Sequence, residues 1–255
     1  MIAGKTVMRV AALYDIHGNL PALDAVLGEV HRADVDLIVV GGDVFPGPMP
    51  CETFARLLEL NIPTRFILGN GDREVLAAMR GEETRSLPEQ ALQSIRWNAG
   101  QLTSEHASAI RQWPTTMSDN IDGIGETLFC HATPGNDTEI FTKLTPQERL
   151  IPVFSNVRAK VVVCGHTHMQ FDRKVGHIRV VNAGSVGMPF GEPGAYWVLL
   201  GREIGLKRTA FDLAAAAKAV RATSYPQAEE FASGSILRPP SEEKMIELFS
   251  HHERR

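Results

Sequence analysis

The chain has 255 residues, of which 44% are hydrophobic and 22% charged, with a formal net charge of -4. These values describe a soluble globular protein with one catalytic domain and a small appendage, and they exclude a disordered chain. The longest apolar runs fall far short of the ~20 residues of a membrane helix, no Lys/Arg block offers a platform for nucleic acid, and the N-terminus lacks a signal-peptide layout, so a cytoplasmic protein with no membrane and no stable nucleic-acid partner is expected.

Apolar runs at residues 7–13, 37–40, 64–68, 127–130, 161–164, 178–181 and 196–200 read as strands. Between the first two, Leu20, Leu23, Val26, Leu27 and Val30 recur at helical spacing, and Pro21 falls in the first turn, where its missing N–H is tolerated. A second helix is predicted over 51–60, and residues 71–115 read as a mainly helical insertion, with helices at 74–79 and 88–101. Cys51, Cys130 and Cys164 are too widely spaced for a disulfide framework or a zinc ribbon and read as packing residues.

Strands alternating with helices argue for an α/β architecture, in which functional side chains gather beyond the strand C-termini. After about residue 209 the pattern changes to an Ala-rich helix over 213–222, a Pro/Gly/Ser linker over 234–240 and a final charged helix. Residues 1–209 are thus read as the catalytic domain. Residues 210–255 are read as its helical extension, serving packing or a homodimer contact.

The chemistry lies at the strand ends. Asp15 and His17 follow the first strand, Gly41-Gly42-Asp43 the second, Asn70-Gly71-Asp72-Arg73 the third, His131 the fourth and Gly165-His166-Thr167-His168 the fifth. A DxH triplet alone caps helices and builds turns, and an Asn-Gly-Asp segment alone is a common turn with a cap. Histidines, aspartates and an asparagine at five equivalent strand ends instead form a metal-ligand set. Its mixed nitrogen and oxygen donors suit a transition-metal pair, and the lack of thiolates argues against a closed structural zinc site. With roughly seven donors, a single ion would be over-supplied, whereas two ions sharing a carboxylate each keep an open position.

The ordered motifs DIHGN, GGD, GNGD, an isolated CH and GHTH resemble the calcineurin-like metallophosphoesterase superfamily over residues 7–200. Asp15 to Leu23 and Asn182 to Gly187 are most similar to its bacterial branch of small phosphodiesterases and diadenosine tetraphosphatase-like proteins. The resemblance implies a two-sheet αββα sandwich. It also implies that Asp15, His17 and His168 hold one ion, that Asn70, His131 and His166 hold the other, and that Asp43 bridges both. Two divalent transition-metal ions are expected, manganese first, with iron, zinc or nickel as other choices.

The departure is Gly71, where the family often carries a histidine that contacts the phosphate. Arg73, His106 or a metal-bound water would have to replace it, or the substrate must carry a good leaving group. Asn70, Asp72, Arg73 and His131 are therefore the candidate catalytic residues, with Asn70 and Arg73 orienting the phosphoryl group. Asp72 or the loop 182–185 would brace the imidazoles.

The expected activity is phosphodiester hydrolysis of a small phosphate ester or nucleotide by a hydroxide shared between the ions. The alternatives are a phosphomonoesterase, a protein phosphatase, a dinucleoside polyphosphate hydrolase, and a metal-binding scaffold without turnover. Phe45, Trp97 and Trp113 are the candidates for a base-stacking surface.

Overall fold

The computed structural model describes residues 7–82 and 87–252. In chain order its first elements are β1 (Val10–Leu13), α1 (Leu20–Arg32), β2 (Leu37–Val40), α2 (Pro50–Leu58), β3 (Thr64–Phe66) and α3 (Asn70–Met79). The helices α4 (Glu89–Gln101) and α5 (Ser104–Ile110) follow, then β4 (Thr116–Ile121), β5 (Gly125–Cys130), α6 (Gln147–Phe154), β6 (Val161–Cys164), β7 (Phe171–Val175) and β8 (Ile178–Asn182). The chain then runs through β9 (Ala195–Leu200), β10 (Ile204–Thr209), α7 (Leu213–Arg221), α8 (Ala228–Phe231), a π-helical turn (Ala232–Leu237) and α9 (Glu242–His252).

Two five-stranded mixed sheets, in the orders β10-β9-β1-β2-β3 and β4-β5-β6-β8-β7, lie face to face. The alternation of strand side chains sorts the core into layers. Ala11 and Leu13 of β1, with Ile38 and Val40 of β2, pack on the layer of α1 to α5. Their neighbours Val10, Ala12, Leu37 and Val39 face the second sheet and meet Phe129, Val163 and Val181. The far side of that sheet, through Val162, Cys164 and Val180, packs on Leu150 and Phe154 of α6. The result is an α/β sandwich of two sheets flanked by helices. Tyr14 crosses between the sheets just below the site, its hydroxyl donating to the Val163 carbonyl at 2.9 Å.

Each apolar run expected to be a strand is one. The three further strands, β4, β7 and β10, all lie at sheet edges. They carry exposed Ser118, Asn120, Asp172, Lys174, Lys207 and Arg208, the charged and polar side chains that keep an edge from pairing with other chains. Such strands have no apolar run to betray them.

The tail departs more from expectation. The Gly/Ser/Pro stretch read as a linker over 234–240 begins inside the π-helical turn Ala232–Leu237. Together, α7, α8 and this turn close a small core around Ala217, Val220, Tyr225, Phe231 and Ile236, with Trp97 of α4 packed against it.

Candidate metal centre and cavity

β1, β2 and β3 run parallel in one sheet and β5, β6 and β8 in the other, so the loops after their C-termini meet at one edge of the sandwich. Asp15, His17, Asp43, His166 and His168 all have positive φ, between 47° and 67°, a region shared among the described non-glycine residues only with Asp34. Aspartate and histidine tolerate this conformation better than most residues, yet it costs on the order of 1–3 kcal/mol each. In Asp15-Ile16-His17 and in His166-Thr167-His168 the left-handed residues alternate, which turns both side chains of each pair into the site.

The imidazoles are held by their backs. Nδ1 of His17 lies 3.0 Å from the Pro46 carbonyl, Nδ1 of His131 3.0 Å from that of Gly41, and Nδ1 of His168 2.7 Å from that of Met188. A carbonyl only accepts, so each Nδ1 carries the hydrogen, and each ring in its neutral form presents a bare Nε2 lone pair. The carboxylates are held in the same way. Asp15 Oδ2 accepts from the His166 amide at 2.9 Å, and Asp43 Oδ1 from the Gly71 amide at 2.7 Å.

What these groups present to one another calls for a cation. Nε2 of His17 and Nε2 of His168 stand 3.2 Å apart, and Asp15 Oδ1 is buried without a hydrogen-bond partner. Asp15, His17 and His168 offer one set of donor atoms within 4.8 Å of one another, and Asp43, His131 and His166 a second. The Asn70 amide oxygen lies 3.0 Å from His131 Nε2, which in the neutral ring offers it no hydrogen. Turned over, the amide would instead donate to His131 Nε2 at 3.0 Å, His166 Nδ1 at 3.0 Å and the Asp137 carbonyl at 3.2 Å. Beside a neutral His131 the inverted amide is favoured; facing a cation, the oxygen turns inward. The residues therefore fit a pair of divalent ions.

The ionisation pattern agrees. Burial lowers the His17 imidazole and takes His166 down to about 4, where the neighbouring His131 lowers it further. Burial opposes the charge on His131 as well, but the Asp43 carboxylate outweighs it and lifts the group to about 10. His168 is raised against burial by Asp15. Burial raises Asp43 too, but the imidazoles around it, His131 first, hold it far below the carboxylate range. The two buried carboxylates thus favour positive charge on His131 and His168, the same demand that metal charge would meet.

Above the cluster opens a cavity of about 710 Å³, within the usual range for ligand sites. His17, Asp43, Asn70 and His168 form its floor, α4 supplies Ala91, Ser94 and Ile95, and the tail supplies Tyr225, Phe231 and Ser235. Phe190 covers His168, its ring centroid 5.3 Å away and its plane tilted 28°. Ser94 and Tyr225 are joined by their hydroxyls, the Gln90 amide donates to Glu230, and that of Gln227 donates to the Gln90 carbonyl at 2.9 Å. The tail is thus clipped to α4 as a wall of the cavity.

A family model for the calcineurin-like phosphoesterase superfamily domain matches residues 8–201. The chain belongs to this superfamily. A Methanocaldococcus jannaschii protein, MJ0912, is 27% identical over 196 residues, which cover 71% of this chain and 76% of that protein. Among solved structures, the hypothetical protein PH1004 of Pyrococcus horikoshii superposes with a TM-score of 0.77 at 20% identity, covering 92% of this chain and all of its own. A metallophosphoesterase of Sphaerobacter thermophilus gives 0.67 at 24% identity, covering 89% of this chain and 98% of its own. Both show the sandwich fold. Membership of the superfamily makes the chain a metal-dependent phosphoric ester hydrolase, and among the described residues no helix is long and apolar enough to cross a membrane.

The structure brings together Asp15, His17, Asp43, Asn70, His131, His166 and His168. It does not bring Asp72 or Arg73 into the cavity. Asp72 is fully buried behind the loop after β2, accepting from the amides of Asp43 at 2.8 Å, Phe45 at 3.0 Å and Gly69 at 3.0 Å. Burial, with the Asp43 carboxylate beside it, raises Asp72 to about 7. The Arg73 guanidinium grips Asp137 through two bonds, at 2.7 and 3.1 Å, and Glu74 through one at 2.6 Å. It is therefore committed to protein carboxylates and not to a phosphate.

His106 is no substitute for a histidine at 71, since it caps α5 with Thr103 and packs edge-on against Phe54. Phe45 and Trp113 also pack on Phe54, and Trp97 braces Tyr225. The aromatic rings at the cavity are instead Phe190, Tyr225 and Phe231, and the last two lie in the tail that composition marked as bland. A Tyr-Pro pair followed by a Phe in a polar stretch was the only signal.

Proposed function

We propose that the chain is a dinuclear metal-dependent phosphodiesterase of small phosphate esters or nucleotides. Asp15, His17 and His168 hold one ion, Asn70, His131 and His166 hold the other, and Asp43 serves both. The observation that carries this reading is the pair of donor sets, each within 4.8 Å, whose lone pairs face one another. The mixed histidine and carboxylate donors suit divalent transition metals, of which manganese is the one proposed, with iron, zinc or nickel as other choices. The free thiols of Cys51, Cys130 and Cys164 suit the reducing cytoplasm.

When bound, such ions supply Lewis acidity and lower the pKa of water toward neutrality. The chain's own groups set the geometry. The carbonyls of Gly41, Pro46 and Met188 fix the ring tautomers, and the Gly71 amide fixes Asp43. Asp72 and Arg73 are positioning residues: one ties down the loop carrying Asp43, and the other ties α3 to the segment bearing Asp137. No imidazole stands at Gly71 to protonate the departing oxygen, which favours leaving groups of low pKa. The tail wall narrows the approach to the ions, unlike the open groove that a protein phosphatase needs.

Metal-stripped protein resupplied with manganese should hydrolyse bis-p-nitrophenyl phosphate faster than p-nitrophenyl phosphate. Asp43→Ala should lose at least about 100-fold in kcat, the scale of losing a metal-supporting group. Failure to cleave either ester with two ions bound would refute the reading.

A further inference from the structure

The ligand cluster accounts for only the floor of the cavity, and the rest has a chemistry of its own. Its walls are mainly apolar: Ala91 and Ile95 from α4, Tyr225 and Phe231 from the tail, and Phe190 and Met188 beside His168. Among the described residues, no lysine or arginine lines it, whereas Glu74, whose carboxylate is paired with Arg73, and Glu230 do. Two divalent ions set against the Asp15 and Asp43 carboxylates leave enough positive charge for one phosphoryl group. A second or third phosphate in the cavity would meet apolar walls and carboxylates, and desolvating it there without a cation is costly.

The aromatic wall is braced rather than loose. Tyr225 is fixed edge-on against Trp97 at 5.3 Å and against Phe231 at 6.2 Å, and its hydroxyl is tied to Ser94. The helix widens to a π turn where Gly234 and Ser235 reach the cavity, a distortion often found at functional sites. Rigid aromatic surface that is already ordered binds a flat apolar group with little further entropy cost.

We propose that α4 and the C-terminal tail together form a subsite for the uncharged aromatic or apolar group of a singly charged phosphodiester. The proposal rests on the phosphodiesterase reading above and specifies its substrate class. It makes Tyr225 and Phe231 specificity residues, and it disfavours dinucleoside polyphosphates, whose several phosphates find no cation among the lining residues.

The test uses two diesters with the same leaving group and charge, 2-naphthyl p-nitrophenyl phosphate and methyl p-nitrophenyl phosphate, on manganese-loaded protein. The expected result is a kcat/KM at least about tenfold higher for the naphthyl ester, expressed mainly in KM as binding remote from the reacting bond gives. Ala91→Trp, which fills the cavity from α4, should reduce that ratio to about twofold or less. Ala91→Leu, a smaller filler that α4 accommodates readily, should shift the ratio in the same direction.

A readout independent of the ions is calorimetric binding of 2-naphthol to metal-free protein, which should weaken about tenfold in Ala91→Trp. Equal kcat/KM for the two diesters would overturn the proposal while leaving the metal chemistry intact. So would naphthol binding indifferent to position 91, or diadenosine tetraphosphate bound more tightly than the naphthyl ester. Absence of all metal-dependent cleavage would instead count against the phosphodiesterase reading, with naphthol binding still deciding the subsite.

Discussion

Gly71 shows how one residue sets a site. Its amide holds Asp43 at 2.7 Å, and a Cβ there would stand 2.4 Å from the Phe45 carbonyl oxygen, 2.9 Å from Pro46 Cδ and 3.0 Å from Asp43 Oδ1. A histidine at this position has no room in this backbone. Gly71→His should therefore not restore a lost function. It should destabilise the fold by about 1–3 kcal/mol, as overpacking does, and lower activity, both measurable by denaturant unfolding and diester hydrolysis. Gly42 makes a related demand: its φ is 97°, and a Cβ there would stand 2.6 Å from His131 Nδ1. The donor residues were legible because they stand directly after apolar strands. Of the four residues expected to be catalytic, Asp72 and Arg73 lie outside the cavity lining, because sequence does not show that Asp72 faces three backbone amides and Arg73 two carboxylates.

Among elements, the loops brace one another across the edge of the sandwich. Asn182, at the end of β8, donates to the Gly165 carbonyl at 2.6 Å and to Thr167 Oγ1 at 3.1 Å, and accepts from the Gly184 amide at 2.9 Å. It pins the segment that carries His166 and His168. Ser185 donates to the Asp15 carbonyl at 2.7 Å and so joins the same loop to the end of β1. Asn182→Ala, which leaves these buried groups unpaired, should cost about 1–3 kcal/mol and weaken manganese binding about 10- to 100-fold, as read by metal titration. The loop 182–185 was expected as a brace, and this network is its form. Inner strands announced themselves by apolar runs, whereas β4, β7 and β10 did not, since their outer side chains face solvent.

For the whole molecule, the fold stores left-handed backbone and buried carboxylates at one edge, and the proposed ions would relieve the electrostatic part of that cost. Metal should therefore stabilise the native state through linkage. Saturating manganese should raise the Tm by at least about 5 °C over the metal-stripped protein, the scale expected for a ligand at a hundred times its Kd in a chain this size. Differential scanning calorimetry checks this. The tail was illegible at this scale because its contribution lies in where it packs: Tyr225 and Phe231 become cavity residues only through contact with α4, more than a hundred positions earlier. The account's central claim is that seven side chains hold two ions side by side. Anomalous diffraction from crystals grown with manganese tests it most directly. Two peaks, one touching Asp15, His17 and His168 and the other Asn70, His131 and His166, with Asp43 reaching both, are predicted; one peak, or none at these residues, would contradict it.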